Sequence, residues 1–221
     1  MAMQIAHTGH LRQTQFATPG LDTATSEGIA CAMAPSLEME GLDGRPAANS
    51  ALGHFAAPLS PLESALRLFS LGNQQVQDQQ PVEAIATYEL AIGLAPGLAE
   101  IHFNRANALA LLQHYGQALA GYDDALALRG GYAQAHSNRG NTLYALGHYG
   151  QAIASFDQAI ALQPGMAEAY LNRGNALTRL RQFAQAFQNY EQAIACKPDL
   201  AEAIFNKGLA LQIMLMEQGP T

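Results

Sequence analysis

From residue 61 onward the chain carries its apolar residues in a helical rather than a strand period. In one stretch Ala152, Ile153, Phe156, Ala159 and Ile160 fall on a single helix face. The same pattern returns every 34 residues. Ala84, Ala118, Ala152 and Ala186 form one column, Tyr88, Tyr122, Phe156 and Tyr190 a second, and Ala91, Ala125, Ala159 and Ala193 a third. Ahead of each such stretch lies another. His102-Phe103-Asn104-Arg105-Ala106-Asn107-Ala108-Leu109 comes back as His136-Ser137-Asn138-Arg139-Gly140-Asn141-Thr142-Leu143, as Tyr170-Leu171-Asn172-Arg173-Gly174-Asn175-Ala176-Leu177, and in part as Ile204-Phe205-Asn206-Lys207-Gly208. A fixed period of this length marks supersecondary units that stack, because one unit cannot bury its apolar face alone.

Each unit reads as two helices. The first carries a small residue (Ala106, Gly140, Gly174 or Gly208) where two backbones must approach closely. A turn is predicted near His114-Tyr115-Gly116 and its equivalents, and the second helix follows. Pro96, Pro164 and Pro198 close the units, with Gly130 in the remaining place, since neither residue type continues a helix comfortably. The predicted units are 65–98, 99–132, 133–166 and 167–200, with one further helix over 201–218. The first firm helix start is Ser60-Pro61-Leu62-Glu63: a capping serine, proline at the first helical position, and glutamate three residues after the cap.

The first sixty residues differ. Gly, Pro, Ser, Thr and Ala follow in irregular order, and Thr18-Pro19-Gly20 and Leu42-Asp43-Gly44-Arg45-Pro46 interrupt any helix. The expectation for 1–60 is a flexible, mostly disordered extension. Composition sharpens the all-α reading: of 221 residues 49% are hydrophobic but only 7% aromatic, and small apolar side chains in such numbers suit closely packed helices. The net charge of −7, with no basic cluster, disfavours nucleic acid and membrane surfaces as partners. No apolar run approaches a bilayer-spanning length, and Met1 to Gln15 lacks the apolar centre of a signal peptide. Cys31 and Cys196 lack metal-ligand spacing and read as free thiols in a reducing compartment, so a cytoplasmic location is expected.

The small residue, the aromatic at the turn (Tyr115, Tyr149, Phe183), the Ala–aromatic–Ala columns and the closing proline resemble the tetratricopeptide repeat family. The resemblance covers about residues 65 to 218. It implies an α-solenoid: antiparallel helix pairs stacked into a right-handed superhelix, with the first helix of each pair on the concave side. Unit one departs from the pattern, with Pro81 in place of the turn aromatic and Ser70-Leu71 where later units have Asn-Arg.

The candidate binding residues are two asparagine columns. Asn104, Asn138, Asn172 and Asn206 form the first; Asn73, Asn107, Asn141 and Asn175 form the second, three residues further along the same helices. An amide offers a donor and an acceptor together, which matches the backbone of an extended peptide. Tetratricopeptide arrays of protein O-GlcNAc transferases use an asparagine ladder that the first column resembles. The competing reading is that these amides serve solubility or bond helix to helix. Arg105, Arg139, Arg173 and Lys207 form a neighbouring cationic column. They are read first as partners of acidic side chains on adjacent helices, with Glu100, Glu168 and Glu202 recurring in step, and second as contacts for an acidic ligand.

Other chemistry finds no constellation. His102 and His136 share a column with Tyr170 and Ile204, and His114 and His148 fall at the turn. Equivalent side chains on stacked helices lie roughly 8–10 Å apart, too far to share one metal ion. His7, His10 and His54 belong to the extension. Asp123-Asp124 reads as a solvated face and Gly130-Gly131 as a helix stop. No cofactor and no catalytic group is expected. The functional expectation is a scaffold that holds a protein or peptide in its concave groove, on Asn104, Asn107, Asn138, Asn141, Asn172, Asn175 and Asn206. A second reading is the substrate-recruiting part of a larger O-GlcNAc-transferase-like glycosyltransferase. A third is self-association through the last helix, whose end, Ile213-Met214-Leu215-Met216-Glu217, is more apolar than a solvent-facing cap.

Overall fold

A computed structural model describes residues 59–217. Among them run nine helices: α1 (Pro61–Gln77), α2 (Pro81–Leu94), α3 (Ala99–Leu111), α4 (Tyr115–Leu128), α5 (Ala133–Ala145), α6 (Tyr149–Leu162), α7 (Ala167–Arg179), α8 (Phe183–Cys196) and α9 (Ala201–Glu217). They pair as α1–α2, α3–α4, α5–α6 and α7–α8, and each pair packs on the next. Successive first helices come close enough to touch, whereas successive second helices do not. The stack therefore curves, with α1, α3, α5, α7 and α9 on the inner wall. None of the described helices is long and apolar enough to cross a membrane.

The start of α1 is the capping box read from the sequence. Ser60 Oγ accepts from the Glu63 backbone N–H at 3.2 Å, and Glu63 Oε2 accepts from the Ser60 N–H at 2.8 Å. The turn inside each unit includes His114, as expected, and is centred slightly earlier. Chain reversal comes at Gln113, one residue before His114, and Tyr115 and Gly116 already belong to α4. Gln79, Gln113 and Arg181 take positive φ of 60–61°, and Gly147 takes 78° in the equivalent place. His114 N–H donates to Leu109 O and Gln113 N–H to Ala110 O, both at 2.9 Å, the pair of bonds that closes a left-handed helix stop. Those two bonds hold glutamine or arginine in a conformation that favours glycine.

Inside each pair an aromatic ring of the second helix lies on the small residue of the first. A Cβ at Gly72 would come within 2.5 Å of the Tyr88 ring, and one at Gly140 or Gly174 within 2.6 Å of Phe156 or Tyr190. Unit two has Ala106 instead and makes room from the other side, where a Cβ at Gly121 would lie 3.0 Å from that of Ala106. The rings of Tyr88, Tyr122, Phe156 and Tyr190 are sealed among the alanine columns, and Phe103 reaches Tyr132, the residue before α5, at 4.7 Å between centroids.

Candidate functional site

The asparagine columns face one another across the unit boundaries, because the first-column residue of one unit lies beside the second-column residue of the unit before. Asn104 Nδ2 donates to Asn73 Oδ1 and Asn138 Nδ2 to Asn107 Oδ1, each at 2.8 Å. Asn172 Nδ2 to Asn141 Oδ1 and Asn206 Nδ2 to Asn175 Oδ1 follow at 2.9 Å. A tyrosine hydroxyl from the second helix braces three of these acceptors: Tyr88 on Asn73 at 2.8 Å, Tyr122 on Asn107 at 2.7 Å and Tyr190 on Asn175 at 3.0 Å. Phe156 has no hydroxyl, so Asn141 lacks that brace.

The amides are thus divided in use. First-column Nδ2 groups point across the stack, and Asn138 is 1% exposed. In the second column Oδ1 is committed in every unit. The Nδ2 groups of Asn73, Asn107 and Asn141 donate to no protein group among the described residues and are not sealed from solvent. Asn175 Nδ2 is taken up by Glu202 Oε1 at 3.3 Å. Asn104, Asn107, Asn172, Asn175 and Asn206 are half-buried, and Asn138 and Asn141 buried. Unit one, without a first-column asparagine, still supplies Asn73 to this arrangement.

The cationic column pairs with acids, though not with the glutamates that recur beside it. Arg105 meets Glu89 at 2.9 Å, Arg139 meets Asp123 at 2.7 Å, Arg173 meets Asp157, and Lys207 meets Glu191 at 2.9 Å. Each acid sits sixteen residues earlier, on the second helix of the preceding unit, and together they form a column of their own. Glu100 and Glu168 pair instead with Arg129 at 2.8 Å and Lys197 at 3.8 Å. Half-exposed pairs of this kind contribute about 0–1 kcal/mol each, so the column sets register more than stability. Asp123 and Asp124 are both exposed, as expected of a solvated face, and from it Asp123 reaches Arg139.

His102 Nε2 lies 2.9 Å from Pro96 O, and His136 Nε2 lies 3.1 Å from Gly130 O; each ring ties its helix to the loop before it. His114 and His148 precede α4 and α6 in the turns. Cys196 is exposed, its Sγ 3.7 Å from Pro164 O. The expectations for His7, His10, His54, Cys31 and the 1–58 part of the extension lie outside the described residues. Burial pushes the Tyr190 hydroxyl up to about 12, against a smaller opposing pull from its bond to Thr178. Burial likewise raises Tyr88 and Tyr122.

Residues 137–201, from the middle of α5 to the first residue of α9, match the tetratricopeptide repeat family. The fold is a tetratricopeptide-repeat solenoid. Its similarity to solved tetratricopeptide-type structures extends over most of the helical part. PilF of Pseudomonas aeruginosa superposes with a TM-score of 0.64 at 20% identity, covering 71% of this chain and 71% of that one. MamA of Desulfovibrio magneticus RS-1 gives 0.61 at 18% identity over 72% of this chain and 98% of that one. A further MamA structure gives 0.59 at 22% identity, covering 62% of this chain and 81% of that one. At such identities the likeness speaks for the fold alone. No curated protein matches the chain in sequence.

Proposed function

We propose that this tetratricopeptide-repeat chain is a protein-interaction scaffold that receives an extended peptide along its inner wall. The observation that carries the reading is the row of second-column amides. Asn73, Asn107 and Asn141 are oriented by bonds to their oxygens and keep their NH2 groups unused, one per unit, at the spacing of the stack. Such donors suit the carbonyl oxygens of a peptide main chain and are indifferent to its side chains. A fixed acceptor on the protein side lowers the ordering cost of binding, because the amide is held before the ligand arrives. First-column residues then act as supports: Asn104, Asn138, Asn172 and Asn206 hold the second column in place.

Charge narrows the ligand class. Seven of the nine lysine and arginine side chains among the described residues are ion-paired, and Arg179 lies over the rings of Tyr144 and Tyr149. With those cations committed and the chain at net −7, the wall suits a neutral or basic peptide better than an acidic one.

The test uses Asn73→Asp with Asn107→Asp, both half-buried, which keeps the oxygen acceptors and removes the donors. Neutral peptides selected from a library on the immobilised chain are measured by fluorescence anisotropy at neutral pH. Two lost hydrogen bonds predict about tenfold weaker binding with little change in thermal unfolding. Equal affinity for both proteins would take the asparagine row out of the site.

A further inference from the structure

The columns of the first helices do not end alike. Phe103, Ser137 and Leu171 are buried, yet Phe205 in the same column is 72% exposed. Leu109, Leu143 and Leu177 are buried, and Leu211 after them is 43% exposed. Gly140 and Gly174 lie under a ring, whereas a Cβ built on Gly208 would meet nothing within 4 Å. The opposite side of α9 is conventional, with Ala203 and Ala210 sealed against unit four.

The bare side carries one polar residue, the uncharged Gln212, among its apolar ones. At 100° per residue, Ile204, Phe205, Gly208 and Leu209 share one face of α9, and Leu211, Leu215 and Met216 extend it. No residue of this face is charged. Six apolar side chains that are 43–72% exposed leave on the order of 600 Å² of apolar surface, close to the ~800 Å² per partner of a standard stable interface. That is the top of the range for the largest apolar patch of a monomer, and patches of that size are often functional.

The patch also carries both halves of a lock used three times in the same chain. In units one, three and four an aromatic ring seats on a first-helix glycine. On α9 the glycine is empty at 208, and an unpartnered ring stands three residues away at 205. Two antiparallel copies related by a dyad between residues 206 and 207 bring Phe205 of each onto Gly208 of the other. The same operation sets Ile204 against Leu209. A self-complementary patch of this kind is what a two-fold interface requires.

We propose that α9 is the contact of a symmetric dimer, with the Phe205 ring of each copy seated on Gly208 of the second copy. The occupant is a second copy because the patch supplies the ring and the socket at once, without a charge to demand an opposite one. The dimer leaves the inner wall of units one to three free, so it does not depend on the peptide reading.

The test is analytical ultracentrifugation of the full chain across a concentration series, with two variants. Phe205→Asp changes a side chain with few contacts in the monomer and is expected to weaken the dimer at least a hundredfold. Gly208→Ala adds a Cβ that meets open space in the monomer but would strike the incoming ring, and is expected to weaken it at least tenfold while raising helicity. A chain that stays monomeric at every concentration, or a dimer unchanged in Gly208→Ala, overturns the proposal. Circular dichroism of both variants separates lost assembly from lost folding.

Discussion

α7 and α9 are built from nearly the same pattern, yet they sit in different surroundings. Both place alanine against the preceding unit, asparagine toward it, and a large apolar residue, a glycine and a leucine on the far side. In α7 that far side is covered: Leu171 and Leu177 are buried, and Gly174 lies under Tyr190. In α9 the corresponding Phe205, Leu211 and Gly208 are bare. Burial in this fold is thus a property of the neighbour rather than of the helix. A repeat column states what a position can pack against, and the next element decides whether it does.

The largest effect that would sharpen this contrast is in the apolar column. Leu171→Ala is expected to cost about 2–4 kcal/mol by urea denaturation, because its cavity is closed on all sides. Phe205→Ala, measured on dilute protein, is expected to stay within about 0.5 kcal/mol of wild type. A comparable loss at both sites would break the comparison.

Next comes the glycine pair. Tyr190 cannot swing aside from a methyl at 174, since its hydroxyl is bonded to Asn175 and Thr178. Gly174→Ala should destabilise by about 1–3 kcal/mol. Gly208→Ala should add up to about 1 kcal/mol through helix propensity, read in the same unfolding experiment on dilute protein.

A smaller effect is expected in alkali. The Tyr190 hydroxyl is raised from 10.0 to about 12 by burial, so the folded state holds its proton more tightly than the unfolded state. Its contribution is fully present below pH 10 and is lost as pH rises from about 10 to 12. Tyr190→Phe should flatten that part of the stability–pH curve by about 1–2 kcal/mol, and an unchanged slope would deny the burial. α9, with no aromatic covering it, has no counterpart to this titration.

How much of this was legible in the sequence follows from what repeats. The helix pairs, the aromatic and alanine columns and the Ser60 capping box are visible because local spacing determines them. The unit-one departures proved harmless for Asn73, which accepts from both Tyr88 and Asn104. The acidic column of Glu89, Asp123, Asp157 and Glu191 was equally periodic. It escaped because its partners lie sixteen residues on, across a helix boundary, where no local rule connects them. The turn at His114 was read, but not its left-handed geometry, because Gln113 in that conformation leaves no compositional sign. The asparagine row was found, but not which half of each amide faces outward. That depends on the unit next door, and two columns in contact are needed to settle it. Because the amides bond one another here, the ladder alone does not single out a glycosyltransferase arm from any other stack.

The absent hydroxyl of Phe156 bears on how the molecule yields. Stretched end to end, a coil of this kind shares the load among its turns in proportion to their stiffness. Three of its four amide links are anchored by a phenol, and the link from Asn141 to Asn172 is not. The curvature of the inner wall should therefore relax first between the third and fourth units, a compliant joint at which the coil can alter its pitch while every other turn keeps its shape.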